Sequence, residues 1–177
     1  MDKIVSILAR ANSAIAVMAG LLLLTAVAAT LLDVILRAFG TSLGGTDELS
    51  GYAMAISTAW GVAFALTERA HVRIDIIRNK TVAPVRALFD AVALLALVIV
   101  SIMIAWRGWG VLSKTISNDA RANTALETPL WIPQALWWTG WTWFAVSASI
   151  MALVVLVSLA GRRYEQVDEI AGFEGET

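Results

Sequence analysis

The sequence predicts an all-α membrane protein with four transmembrane helices. The chain of 177 residues is 59% hydrophobic and only 15% charged, with a mean hydropathy of +0.75, whereas soluble proteins are about half apolar and about a quarter charged. It contains four long apolar runs, and a helix needs about 20 apolar residues to cross a bilayer. The runs are continuous, unlike the alternating segments of about 10 residues that build a membrane β-barrel. We expect a single four-helix domain over residues 1–160 and an acidic tail over 161–177.

The first apolar run extends from about residue 13 to 36 and follows a basic N-terminal segment. A cleaved signal peptide also begins with basic residues, but its apolar core of about 7 to 15 residues is shorter than this run. We therefore favour a transmembrane helix over cleavage. The second run, about 49–67, opens after Asp47 and Glu48. Carboxylates suit the start of a helix, where backbone N–H groups lack partners.

The third and fourth runs cover about 85–106 and 134–160. Pro129 and Pro133 precede the fourth run, and proline is tolerated at a helix start but not in its interior. Residues 68–78 connect the second and third helices and mix charged with branched apolar side chains. This connection is too polar to cross the bilayer, so we expect a short segment at the membrane surface.

The distribution of Lys and Arg predicts the orientation of the chain. Nine of these residues fall in the N-terminal segment, the middle connection and the C-terminal tail, and four fall on the opposite side. Basic residues concentrate in cytoplasmic loops. Both termini are therefore expected in the cytoplasm.

Tryptophan is concentrated near the outer ends of the third and fourth runs. Indole rings commonly lie at the headgroup boundary, where they fix the depth and tilt of helices. Gln134, Trp137, Trp138 and Trp141 also share one helical face. We favour a lipid-facing belt, and the alternative is a face that grips a partner helix. The seven residues are Trp106, Trp109, Trp131, Trp137, Trp138, Trp141 and Trp143.

Asp33 and Arg37 are four positions apart near the end of the first run, so they can pair on one helical face. An acid within the membrane is a functional hypothesis by default. A self-sufficient four-helix exporter that couples efflux to proton flow through Asp33 is therefore an alternative function. We favour a structural pair, because Asp33 lies close to the end of its run and not at the middle of the membrane.

Two further pairs have the same spacing. If the connection is helical, Asp75 can accept a hydrogen bond from the His71 imidazole and orient the ring, and a pH switch is the alternative to a packing role. Arg86 and Asp90 are predicted to pair at the inner end of the third helix.

Composition excludes several classes of function. A net charge of −1 lacks the basic surface expected of a nucleic-acid binder. The absence of cysteine excludes thiol catalysis and thiolate metal sites, and a single histidine excludes a haem held between two histidines of this chain. The sequence has no phosphate-binding loop or serine elbow. We expect neither an enzyme nor a bound cofactor.

The order of local motifs resembles the small membrane subunit, often called the DctQ type, of tripartite ATP-independent periplasmic (TRAP) transporters. An arginine follows the first helix, an acidic pair followed by leucine opens the second, small residues fill the second helix, and a histidine stands four residues before an aspartate. The residues that carry this resemblance are Arg37, Phe39, Asp47-Glu48-Leu49, Trp60 to Leu66, Ala70 to Asp75, and Thr128 to Pro133.

The resemblance implies a noncatalytic subunit in a bacterial inner membrane. Its partners would be a large permease subunit, which holds the substrate and ion sites, and a periplasmic solute-binding protein. Transport would be ion-driven uptake of an organic acid, and this chain would serve as a scaffold. Structural or interface positions would include Asp33, Arg37, Glu48, His71, Asp75, Trp137, Trp138 and Trp141.

Overall fold

The computed structural model describes residues 2–68, 81–124, 126–164 and 167. They form four helices that are long and apolar enough to cross a membrane: α1 (Asp2–Ala38), α2 (Thr46–Thr67), α3 (Ala83–Ser117) and α4 (Trp131–Ala160). Extended pairing in these ranges is limited to an isolated bridge between Arg121 and Pro129. The prediction of an all-α chain with four spans is confirmed.

Two helices are longer than the apolar runs that predicted them. Helix α1 starts at Asp2 instead of about residue 13, and α3 ends at Ser117 instead of about residue 106. A helix satisfies its own backbone hydrogen bonds, so it does not have to end where the hydrocarbon ends. Leu8 in the first extension and Leu112 in the second are buried, so both extensions are anchored by packing.

The helix starts follow the expected chemistry. Asp47 and Glu48 occupy the first turn of α2. Pro84 lies at the start of α3, and Pro133 lies in the first turn of α4. Proline costs no backbone hydrogen bond there, because the first backbone N–H groups of a helix have no intrahelical acceptor.

The helices pack as an open row in the order α1, α2, α4, α3. The principal contacts join α1 to α2, α2 to α4, and α4 to α3. The most apolar window of α1 is 0% buried within the chain, whereas half of the corresponding window of α4 is buried. Helices α2 and α4 are therefore central, and α1 and α3 flank them.

The two ends of the row differ in character. We call the end where α1 and α3 finish and α2 and α4 begin the corner end, and the opposite end the terminal end.

The apolar core includes Ala63 and Val155, which have no exposed surface, and continues through Leu8 and Ala87. Val167 of the predicted acidic tail is also fully buried in this core. The solvated tail stays a prediction for residues 168–177, which lie outside the described ranges.

Candidate functional site

The carboxylate of Asp33 in α1 is a buried polar group with several partners. This side chain is only 1% exposed. One oxygen, Oδ1, accepts from the Leu43 backbone N–H at 2.7 Å and from the Ser42 hydroxyl at 2.9 Å. The other, Oδ2, accepts from the Thr46 hydroxyl at 2.8 Å and lies 2.5 Å from Nη2 of Arg37. Four donors therefore surround one buried carboxylate.

The contact between Asp33 and Arg37 is the ion pair that their spacing predicts, and it is part of a larger arrangement. Arg37 also lies 3.7 Å from the carboxylate of Asp47, which is 85% exposed. The hydroxyl and backbone donors to Asp33 come from the connection between α1 and α2 and from the first residue of α2. Asp33 thus fixes the angle at which the chain leaves α1 and enters α2.

Glu48 extends this arrangement to the other pair of helices. Its Oε1 accepts from the Tyr52 hydroxyl at 2.8 Å, one helical turn further along α2. Its Oε2 accepts from the Thr124 hydroxyl in the connection between α3 and α4. Glu48 therefore ties the α1–α2 connection to the α3–α4 connection across the corner end.

A close apolar contact reinforces the same junction. Gly45 precedes α2 with φ of 75°, in the left-handed region that side chains other than glycine rarely adopt. A Cβ atom at this position would lie 2.3 Å from Cδ1 of Leu126. Gly44 and Gly45 both have positive φ, and of the two only Gly45 also lies close to a neighbouring side chain.

The connection between α3 and α4 is itself closed by backbone hydrogen bonds. The N–H of Ala122 donates to the carbonyl of Thr128 at 3.0 Å, and the N–H of Leu130 donates to the carbonyl of Ala120 at 3.1 Å. These bonds hold Thr124 and Leu126 opposite the start of α2. We call this group of residues the corner cluster. Its members are Asp33, Arg37, Gly45, Glu48, Thr124 and Leu126.

The tryptophans divide into two groups. Trp106, Trp109 and Trp131 are between 46% and 69% exposed, which suits the predicted lipid belt. Trp138 and Trp143 instead donate their indole N–H groups within the chain, to the Ala105 carbonyl and to Oδ1 of Asn12, each at 2.8 Å. These two residues hold helices together, and a lipid belt alone does not describe them.

The predicted stripe on α4 also packs within the chain. Trp137 makes an edge-on contact with Trp141, with ring centroids 6.4 Å apart, and Trp141 packs in the same way on Phe144 at 5.9 Å. A Cβ on Gly108 of α3 would lie 3.2 Å from the Trp137 ring. Part of this face therefore contacts α3 and the core, so it is not wholly available to a partner helix.

Asn12 is a polar position that sequence reasoning missed. It has no exposed surface; its amide donates to the Ala63 carbonyl of α2 at 2.9 Å and accepts from Trp143 of α4. One side chain thus links three helices. The available signal was an amide at the border of an apolar run, where polar side chains often bond between helices.

Other predicted positions are placed differently. His71 and Asp75 lie outside the described residues, so their pairing stays a prediction. Asp90 is 2% exposed, and Arg86 is partly buried near the terminal end. Among the described residues, no group of three or more His, Cys, Asp or Glu side chains is placed to hold a metal ion.

Comparison with known families places most of the chain in a described family. The model of the family described as "Tripartite ATP-independent periplasmic transporters, DctQ component" matches residues 26–163, which is more than half of the chain. No curated protein and no solved structure matches the chain. The matched range contains the whole corner cluster.

Proposed function

The chain belongs to the DctQ component family of the tripartite ATP-independent periplasmic transporters, and from this premise we propose that it is a noncatalytic scaffold for the large permease subunit. In this proposal, the large subunit binds and moves an organic acid that a periplasmic binding protein delivers. An ion gradient drives the uptake. This chain supplies a fixed surface in the membrane, and the large subunit moves relative to it.

The observation that carries the proposal is that the carboxylate of Asp33 is already bonded to groups of its own chain. A transport site needs a polar group that can exchange one partner for another as the cargo or the proton enters and leaves. Asp33 already accepts from Leu43, Ser42 and Thr46 and pairs with Arg37, all within its own chain. Its oxygens are occupied by structural donors, as expected for a group that fixes a corner.

The shape of the helices supports the same role. Secondary transporters commonly bind substrate and ion at interrupted helices, where unwound backbone faces a cavity near the middle of the membrane. In the described chain, α1 to α4 are continuous α-helices. Buried polar side chains such as Asn12 and Ser57 bond to carbonyl groups of neighbouring helices. These bonds stabilise helix packing.

The alternative of a proton-coupled exporter is not favoured by this geometry. Its acid would have to lie in a central pathway open to cargo. Asp33 lies near the end of α1, which finishes at Ala38, and it is enclosed by the α1–α2 connection. Family membership also indicates a component of a larger uptake system.

We further propose that both termini face the cytoplasm of a bacterial cell and that the corner end faces the periplasm. The support is the distribution of nine against four basic residues. The corner cluster would then stand on the side from which the binding protein arrives.

Reconstitution tests the scaffold role. The chain would be incorporated into liposomes alone, and separately with the large permease subunit and the binding protein, under an imposed sodium gradient. Uptake would be followed with radiolabelled dicarboxylates, 2-oxo acids and sialic acid. We expect uptake only with all three components, because Asp33, the acid that could have served a transport site, is held by donors of its own chain.

A matched variant separates scaffolding from transport chemistry. Asp33→Asn should reduce the amount of assembled complex recovered in mild detergent, while the complex that does assemble should keep the KM for solute. Asp47→Asn, which alters an exposed carboxylate at the same corner, should leave both unchanged. Uptake by liposomes that contain only this chain would overturn the proposal.

A further inference from the structure

An elongated apolar groove lies between α3 and α4, starting toward the corner end. Its volume is about 580 Å³, and nearly all of its lining is hydrocarbon or aromatic. The α3 wall runs from Ile102 to Trp109, and the α4 wall runs from Trp138 to Ile150. The groove is separate from the corner cluster, and the scaffold role makes no use of it.

The dimensions of the groove fit one acyl chain. The α4 wall covers twelve helical steps, from Trp138 to Ile150, or about 18 Å at about 1.5 Å per residue. One leaflet of the hydrocarbon core is about 15 Å thick, half of about 30 Å. Dividing 580 Å³ by this length gives a mean cross-section of roughly 30 Å². The groove is open along one side, so an α-helix about 10 Å wide could cover its opening but would not fill it.

The groove also has distinct ends. Trp106, Trp109 and Trp138 line the end nearer the corner, and indole rings prefer the headgroup boundary. The Arg107 guanidinium lies 5.3 Å from the centroid of the Trp106 ring, and Arg107 is exposed. Among the described residues, Arg107 forms no salt bridge with a carboxylate. Arg107 does not itself line the groove, but its guanidinium lies beside Trp106, which does, so a cation stands next to the aromatic end.

The two hydroxyl groups inside the groove are already used. The Thr142 hydroxyl donates to the Trp138 carbonyl at 2.9 Å, and the Ser149 hydroxyl donates to the Ala145 carbonyl at 2.7 Å. No hydroxyl hydrogen at these two positions is left for a polar ligand or for a bond to a second helix. The interior thus suits hydrocarbon, and none of the residues that line the groove is charged.

We propose that this groove binds one membrane phospholipid, with an acyl chain between α3 and α4 and the phosphate against Arg107. Guanidinium presents several donors in a plane and binds phosphate through paired, charge-assisted hydrogen bonds. The lipid belongs to the leaflet at the corner end. This site is independent of the proposed scaffold role, because it needs only this chain and a bilayer lipid.

Native mass spectrometry of the full chain, released from detergent micelles, tests the headgroup contact. The probes are dioleoyl phosphatidylglycerol and dioleoylglycerol, which share acyl chains but differ in the phosphate. We expect one retained phosphatidylglycerol, with affinity about tenfold lower in Arg107→Gln, and no retained dioleoylglycerol. Lys114→Gln removes a basic residue in the last turn of α3, seven positions beyond Arg107, and it should leave the retention of phosphatidylglycerol unchanged.

A second pair of variants tests the acyl contact. Val146→Trp places a large ring in the groove and should abolish retention, whereas Leu153→Trp alters an exposed α4 residue outside it and should not. A phospholipid with a photoreactive acyl chain should cross-link to the two walls. The proposal would be overturned if Arg107→Gln and Lys114→Gln reduced the retention of phosphatidylglycerol equally. Cross-links scattered over α1 and α2 would also overturn it. So would cross-links that disappear on co-expression of a large permease subunit, because the groove would then receive a protein partner.

Discussion

Asp33 shows how a carboxylate can be tolerated beside a membrane. Removing a charged group from water is costly unless its oxygens are paired and hydrogen-bonded. The four donors around Asp33 meet that requirement from a segment of only a few residues, and each donor also constrains the backbone that carries it. A charge that suggests transport chemistry in the sequence is, in the structure, the centre of a turn.

Replacement of Asp33 by Asn should therefore destabilise the chain. An amide turns one acceptor oxygen into a donor, so it opposes one of the N–H or O–H groups that now point at the carboxylate, and it removes the partner of Arg37. Thermal unfolding in detergent should begin at a clearly lower temperature than in the wild type. Asp47→Asn is the matched control, because Asp47 is 85% exposed and lies 3.7 Å from Arg37; equal effects of the two variants would contradict the role given to Asp33.

The hydrogen bonds of Asn12, away from the corner end, lead to a comparable prediction. Asn12→Leu removes the bonds to Ala63 and Trp143, and we expect a loss of about 1 kcal/mol in the free energy of unfolding, which is typical of hydrogen bonds between membrane helices. Equilibrium unfolding in mixed detergent micelles measures it. Trp143→Phe removes the indole donor together with part of the ring that packs on the core. Because both variants break the same hydrogen bond, the double variant should lose less stability than the sum of the two single losses.

Ser13→Ala is the control for Asn12. It changes an exposed neighbour on the same helix, and such substitutions usually alter stability by less than about 0.5 kcal/mol. Strict additivity of Asn12→Leu and Trp143→Phe would show that the hydrogen bond between them contributes nothing.

At the scale of the helices, the contact between α2 and α4 depends on small residues. A Cβ on Gly140 would lie 3.0 Å from the Cβ and the carbonyl carbon of Ala59, and 2.9 Å from Cδ1 of Trp60. Membrane helices approach closely where such residues meet, because lipid supplies no hydrophobic force to press them together. This contact joins the two central helices and so holds both flanking helices in one unit.

Gly140→Ala should separate α2 from α4. The added methyl meets backbone and ring atoms that cannot move without shifting a helix, and overpacking of this kind costs about 1–3 kcal/mol. Gly110→Ala, in α3 with no atom within 4 Å of the added Cβ, should be neutral or slightly stabilising, because alanine favours helices over glycine. The free energy of unfolding in mixed micelles can be compared for the two variants. A larger decrease in Gly110→Ala would show that the close contact at Gly140 does not stabilise the helix pair.

The sequence predicted the elements better than their arrangement. Four apolar runs were enough to place four helices, because the length and hydropathy of a span are set by the bilayer. The extension of α1 back to Asp2 and of α3 to Ser117 could not be predicted from those runs, since helix continues wherever packing anchors it. The pair of Asp33 and Arg37 followed from spacing, whereas the donors from Ser42, Leu43 and Thr46 depend on a turn that a linear pattern does not show.

At the scale of the whole molecule, the open row leaves much of the protein facing its surroundings. Helix α1 contributes none of its most apolar window to the interior of the chain, and α3 contributes about a quarter, 28%. The corner cluster nevertheless joins the α1–α2 connection to the α3–α4 connection through Glu48 and Thr124. This combination suits the proposed scaffold role, because the chain presents a broad apolar surface while its own helices are fixed at one end.

The orientation of the chain in the membrane is the prediction on which its proposed place in a transporter depends. A binding protein can reach the corner cluster only if the corner end faces the periplasm, and the excess of basic residues on the other side predicts that orientation. The chain contains no cysteine, so single cysteines can report it without background. Thr41→Cys lies at the corner end and Glu68→Cys follows α2 at the terminal end, both at exposed positions. In cells with a permeabilised outer membrane, a membrane-impermeant maleimide should label Thr41→Cys at once and Glu68→Cys only after lysis; the reverse pattern would place the corner cluster in the cytoplasm, out of reach of any periplasmic partner.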